Sequence, residues 1–165
     1  FEKELVKNGS SVYYFPRRGM NLLRFHKFKK TIKSIFTQKK YDVLWFNECV
    51  LSNIDYFKIA KKCGIKKRII HAHNNKIMEK NFIKRIILLF FHNFHKLLIN
   101  KYATDFWSCS NETSEFFYTK KTRNSKQHKI INNAIECTKI KFSSSIRNKY
   151  RKLFTVFVIF CHISH

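Results

Sequence analysis

Apolar and polar positions divide the chain into alternating short and long units. Residues 2–7 read as the end of a helix stopped by Asn8-Gly9, and residues 12–15 follow as a β-branched and aromatic run closed by Pro16. Over residues 21–40, Leu22, Phe25, Phe28, Ile32, Ile35 and Phe36 recur every three or four positions, while Arg24, Lys27, Lys30 and Lys33 take other directions. That spacing predicts an amphipathic basic helix. Short runs at residues 43–46, 68–71, 105–109 and 129–131 predict strands, and residues 51–62 (ending in Cys63-Gly64) and 81–100 predict helices between them. Ser110 stands where an N-cap belongs.

Buried short strands separated by helices predict an α/β fold: a Rossmann-like parallel sheet with helices on both faces, since parallel strands need long crossovers. Ligands of such sheets sit beyond the carboxyl ends of the strands, which directs attention to the loops after Phe15, Phe46, His71 and Cys109.

Composition narrows the class. Hydrophobic residues at 44% and aromatic residues at 16% exclude a disordered basic tail, and three Gly and one Pro exclude collagen-like and linker sequences. Thirty-four Lys and Arg against ten Asp and Glu leave a charge of +24, a field that gathers polyanions and anionic lipid. Residues 17–40, 80–102 and 119–134 carry no carboxylate. The first two are also amphipathic, a pattern shared by plain surface helices and by helices that lie in a headgroup interface. The longest apolar stretches, residues 86–91 and 153–160, fall short of the ~20 residues that cross a bilayer. Cys49, Cys63, Cys109, Cys137 and Cys161 form no C-x-x-C pair and fit free thiols in a reducing compartment, hence a cytoplasmic chain.

The sharpest local signal is Arg68-Ile69-Ile70-His71-Ala72-His73-Asn74-Asn75, with two imidazoles and two amides at the carboxyl end of a predicted buried strand. His71 and His73 face the same way and could share a metal, but no further ligands stand at a convincing spacing, so no metal is assigned. The plainer alternative packs one His under the loop with a satisfied hydrogen bond and leaves the other exposed. His92 and His95, at i and i+3 on a helix, are read as members of a partly buried face and given no role.

Spread over the whole chain is a resemblance to a known family. Tyr41-Asp42-Val43-Leu44-Trp45-Phe46-Asn47, then Ala60-Lys61-Lys62-Cys63-Gly64-Ile65 leading into Arg68 to Asn75, then Ala103-Thr104-Asp105-Phe106-Trp107-Ser108-Cys109-Ser110, then Ile130-Ile131-Asn132-Asn133-Ala134-Ile135-Glu136 appear in order. They resemble the amino-terminal, acceptor-side domain of the family 4 glycosyltransferases of GT-B type, in the branch that builds bacterial exopolysaccharides and capsules. Ile146-Arg147-Asn148-Lys149-Tyr150-Arg151-Lys152 is similar to that family's linking helix, which places one domain at residues 1–152 and the start of a second at 153–165. The resemblance implies retaining transfer of a hexosyl group from a nucleotide sugar to a lipid-linked or saccharide acceptor, with no cofactor or obligatory metal, at the inner face of the plasma membrane. It assigns His73 to the transferred sugar and His71, Asn74, Ser110 and Asn133 to substrate binding. Ser110 and Asn133 also suit helix capping and turn formation.

Departures from the family pattern set further expectations. The family's first strand and Gly-rich loop would precede Phe1, Glu136 replaces the usual Asp, and the donor-binding half would follow His165, so the chain reads as a fragment inactive alone. Two other readings compete. One is a basic module for nucleic acid or anionic membranes, although no helix-turn-helix, RNP or zinc-finger pattern can be traced and nucleic acid is the weaker partner. The other is an inert relic of a decayed gene.

Overall fold

A computed structural model of the chain describes residues 2–14, 22–134 and 143–154. The elements in order are α1 (Glu2–Lys7), α2 (Leu22–Gln38), β1 (Val43–Glu48), α3 (Asp55–Lys62), β2 (Lys67–Ala72), α4 (Phe82–Leu98) with a following 3-10 turn (Ile99–Lys101), β3 (Asp105–Ser108), α5 (Asn111–Phe117), α6 (Lys120–Arg123), β4 (His128–Ile130) and α7 (Ser144–Phe154). The predicted alternation of strand and helix is thus observed, and the helix expected over residues 146–152 falls within α7. Residues 15–21, 135–142 and 155–165, with Phe15 and the apolar run from residue 155, lie outside the described residues.

Two local expectations are corrected. Val12 to Tyr14 form no strand, because a strand exists only through a ladder and none reaches them; all three side chains are exposed. The helix expected from residue 51 starts at Asp55 instead. The side chain of Asn53 accepts the Asp55 N–H at 2.8 Å, a turn that competes with helix, and Leu51 is held elsewhere, as described below. At the other end of α3 the predicted stop holds: Gly64 takes φ +79°, a left-handed conformation that side chains rarely adopt, and the Ile65 N–H returns to the Ala60 carbonyl at 3.0 Å.

The strands form one parallel sheet in the order β1-β2-β3-β4. The architecture is α/β and Rossmann-like. Successive right-handed crossovers that advance in one direction put their helices on one face, and an order without reversal contains no switch point among the described strands. Register and pleat assign Leu44, Phe46, Ile70, Ala72, Phe106 and Ser108 to that face. There Ile70, Ala72 and Phe106 pack with Leu51, Ile54, Phe57, Ile99, Phe117 and Tyr118 into the core, joined by Leu44 and Phe46 at its margin. Each fully buried Ile or Phe of this set contributes about 1.5–3 kcal/mol. Ile32 of α2 is buried too, while Phe28 of the same helix meets Tyr56 of α3 edge-on at 5.2 Å.

Polar atoms on this closed face find partners. The Tyr118 hydroxyl donates to the carbonyls of Trp107 at 2.6 Å and Ile70 at 3.2 Å. Ser108 and Ser114 share a hydroxyl–hydroxyl bond, and Ser114 Oγ lies 2.9 Å from His128 Nε2.

Candidate functional site

His71 ends the apolar part of β2 and His73 stands two residues on, so the pleat turns both away from the closed core, with ring centroids 4.3 Å apart. Register places Asn47 of β1 beside His71, and its Oδ1 meets His73 Nε2 at 3.0 Å. An amide oxygen only accepts. In the neutral ring Nε2 therefore carries the hydrogen, and Nδ1 keeps a lone pair able to accept from a ligand hydroxyl. The main chain of His73 is fastened on both sides: its N–H donates to the Glu48 carbonyl at 3.0 Å and its carbonyl accepts from the Cys109 thiol at 3.4 Å. Half-buried, this residue is held between the carboxyl end of β1 and Cys109, the residue that follows β3.

Beneath it the two tryptophans of the chain roof the middle strand. Trp45 of β1 and Trp107 of β3 lean together to 5.6 Å between centroids, each 6.0 Å from the His71 ring. Their pairing accounts for the burial of Ile69 and His71 on the face away from the core helices, while Trp45 itself stays 57% exposed. The His71 ring is buried, as the plainer reading of the sequence expects, but among the described residues neither of its nitrogens meets a partner in good hydrogen-bond geometry. Burial, then the charge of His73, holds its proton affinity below the ordinary imidazole range, with the Ile131 main chain pulling the other way. A buried polar group left unpaired costs about 1–3 kcal/mol. The Trp107 indole N–H on the same face is also buried, and among the described residues it has no partner.

The remaining assigned residues fall in neighbouring loops. Asn74 follows His73 and is half-buried. Ser110 accepts the Thr113 N–H at 3.2 Å and so caps α5, as its capping role predicts. Asn133 is exposed in the loop after β4, which the Ile131 N–H ties to the Ser108 carbonyl at 2.8 Å. The carboxyl edge thus unites His73, Asn74 and Ser110 closely; among the described contacts none joins Asn133 to His73.

Four residues of this region carry no site assignment from the sequence: Asn47, Trp45, Trp107 and Glu48. Both tryptophans lie in predicted strands and Asn47 one residue beyond the first of them, but only the register shows that they surround His71. Glu48 ends β1, where burial pushes its carboxyl up to about 7 against the pull of the Val50 and Cys49 main chain. Its one sequence signal is a carboxylate at a strand's carboxyl end in a chain short of acids. A group poised there can donate or accept a proton near neutrality.

His92 and His95 sit in a partly buried face, as expected, and hold main chain there. The Leu51 N–H donates to His92 Nδ1 at 3.1 Å, and His95 Nδ1 reaches the Leu51 carbonyl at 2.8 Å. His92 Nε2 in turn donates to the Phe116 carbonyl at 3.0 Å. Two imidazoles one helical turn apart thereby clamp the loop after β1 onto α4 and α5.

Among the described residues no group of three or more His, Cys, Asp or Glu is placed to hold a metal ion, and no helix is long and apolar enough to cross a membrane. Comparison with known proteins finds no matching family model, no matching curated protein and no matching solved structure, so the resemblance to glycosyltransferases rests on the residues of the sequence.

Proposed function

We propose that the carboxyl edge of this sheet is the acceptor-side wall of a glycosyl-transfer site, which would pass a hexosyl group from a nucleotide sugar to a saccharide or lipid-linked acceptor with retention. The observation that carries the reading is the His73 imidazole, locked by Asn47 in the tautomer that leaves Nδ1 as an acceptor, above a surface made of two indoles. Sugar rings offer what such a wall recognises: hydroxyls for an imidazole and an amide, and an apolar C–H face for an aromatic plane. His73 would take a hydroxyl of the sugar, Asn74 and Ser110 would border the same edge, and Trp45 would support the ring. Charge on the departing diphosphate would be met by cationic groups across the cleft.

The test is calorimetric titration of the full chain with a hexose joined through diphosphate to a short isoprenoid, and with single-stranded oligonucleotide at the same physiological salt. The reading expects saturable binding of the sugar probe, weakened at least about tenfold by His73→Ala, the loss of one well-placed hydrogen bond. Tighter binding of the oligonucleotide, or sugar-probe binding indifferent to His73→Ala, would overturn it.

A further inference from the structure

α4 is built inside out. A helix that closes a soluble core turns its apolar stripe inward. Here Leu88 and Leu98 share the inward positions with His92, His95 and Lys96, which bond to Leu51, Phe116 and Glu115 main-chain groups. Successive residues advance about 100° around the axis, so Phe82, Ile83, Ile86, Phe90, Phe94 and Leu97 share the opposite side. All six are exposed, from 51% at Ile86 and Phe94 to 68% at Ile83. Asn93 is the polar residue among them.

At its amino end this apolar side runs into a cleft of about 510 Å³ that Phe82, Ile86, Leu89 and Phe116 line together with Lys76 and Arg85. The cleft borders Asn75, in the loop that carries His73 and Asn74. Charge identifies the occupant. From residue 80 to 104 there is no carboxylate, while Lys80, Lys84, Arg85 and Lys101 supply four cations besides the inward Lys96. A second copy of a chain carrying +24 would bring these same cations together, whereas an anionic lipid surface offers hydrocarbon to the phenylalanines and phosphate to the lysines.

We infer that α4 lies in the headgroup layer of an anionic membrane, apolar side down, and presents the carboxyl edge of the sheet to lipid-linked molecules at that surface. This deepens the proposed function by naming where the acceptor is met, but it does not depend on sugar binding. The outward side chains touch too little of the core for their replacement to unfold the chain.

Flotation of the full chain with vesicles of three parts phosphatidylcholine to one part phosphatidylglycerol tests it. Charge alone will draw so basic a protein to such vesicles, so the informative changes are Ile83→Glu and Phe90→Glu. Each is expected to weaken partitioning at least about tenfold while leaving the sugar-probe titration unchanged. In Phe90→Trp, lipid brominated on its acyl chains is expected to quench the added indole and to spare Trp45 and Trp107. Partitioning unaffected by both Glu substitutions, an unquenched indole at position 90, or loss of a chain dimer in place of loss of lipid binding would each overturn the inference.

Discussion

The two faces of the sheet solve the same packing problem in different ways. On the closed face, aliphatic and aromatic side chains from α3, α5 and the turn after α4 fill the space over Ile70 and Phe106, and Tyr118, Ser114 and His128 find partners. On the other, two indoles roof Ile69 and His71. Of the four buried side-chain atoms without a partner among the described residues, three lie there, on His71 and Trp107; the fourth is Arg123 Nε. Among the described residues, most of the unpartnered buried side-chain atoms thus lie on the face that the indoles cover.

Substitutions on the two faces sharpen this contrast. Phe57→Ala on the closed face removes a buried ring and is expected to cost about 3–5 kcal/mol in urea unfolding. Trp45→Ala, although a larger truncation, removes a side chain already 57% exposed and should cost less than half as much. Equal costs would mean that the indole roof is as much a core as the helix-covered side.

Glu48, at the carboxyl end of β1 on the closed side, gives a pH signature. Its folded-state carboxyl is raised from 4.5 to about 7, so the native state binds the proton more tightly than the unfolded chain. That contribution is complete below pH 4.5 and is lost as pH rises through about 7. Glu48→Gln should therefore match the parent in acid and exceed its stability by roughly 1–3 kcal/mol above neutrality, a gap that opens across this window. A constant gap at all pH values would show that the carboxyl is not strained by burial.

A smaller effect tests partner satisfaction directly. Ser114→Ala leaves His128 only its longer 3.4 Å contact with the Ser108 hydroxyl on the closed face and is expected to cost about 1–2 kcal/mol, whereas His71→Leu replaces unpaired nitrogens with hydrocarbon and is expected to be neutral or slightly stabilising. Stability sacrificed at such a position is what binding sites commonly show.

Much of this architecture is legible in the order of the amino acids. Periodicity locates every described strand and the long helices to within a few residues, and the two-residue spacing of His71 and His73 correctly puts both on one side of the sheet. What stays hidden depends on partners distant in sequence. Val12 to Tyr14 have strand composition but no ladder to join, and Asn53 delays α3 by a local turn that periodicity does not register. The neighbours of His71 come from register across three strands, and the clamp on Leu51 spans more than forty positions to His92 and His95. The outward apolar side of α4 is hidden for the opposite reason: its spacing is that of any amphipathic helix, and only packing says which side is covered.

The most direct test of the open face uses the two indole N–H resonances, both of which report from it. In amide correlation spectra of the full chain titrated with the isoprenoid diphosphate-linked hexose, Trp45 and Trp107 should shift together and saturate with the calorimetric affinity. His73→Ala should abolish both movements. Indole signals that stay fixed while the probe binds elsewhere would contradict the account.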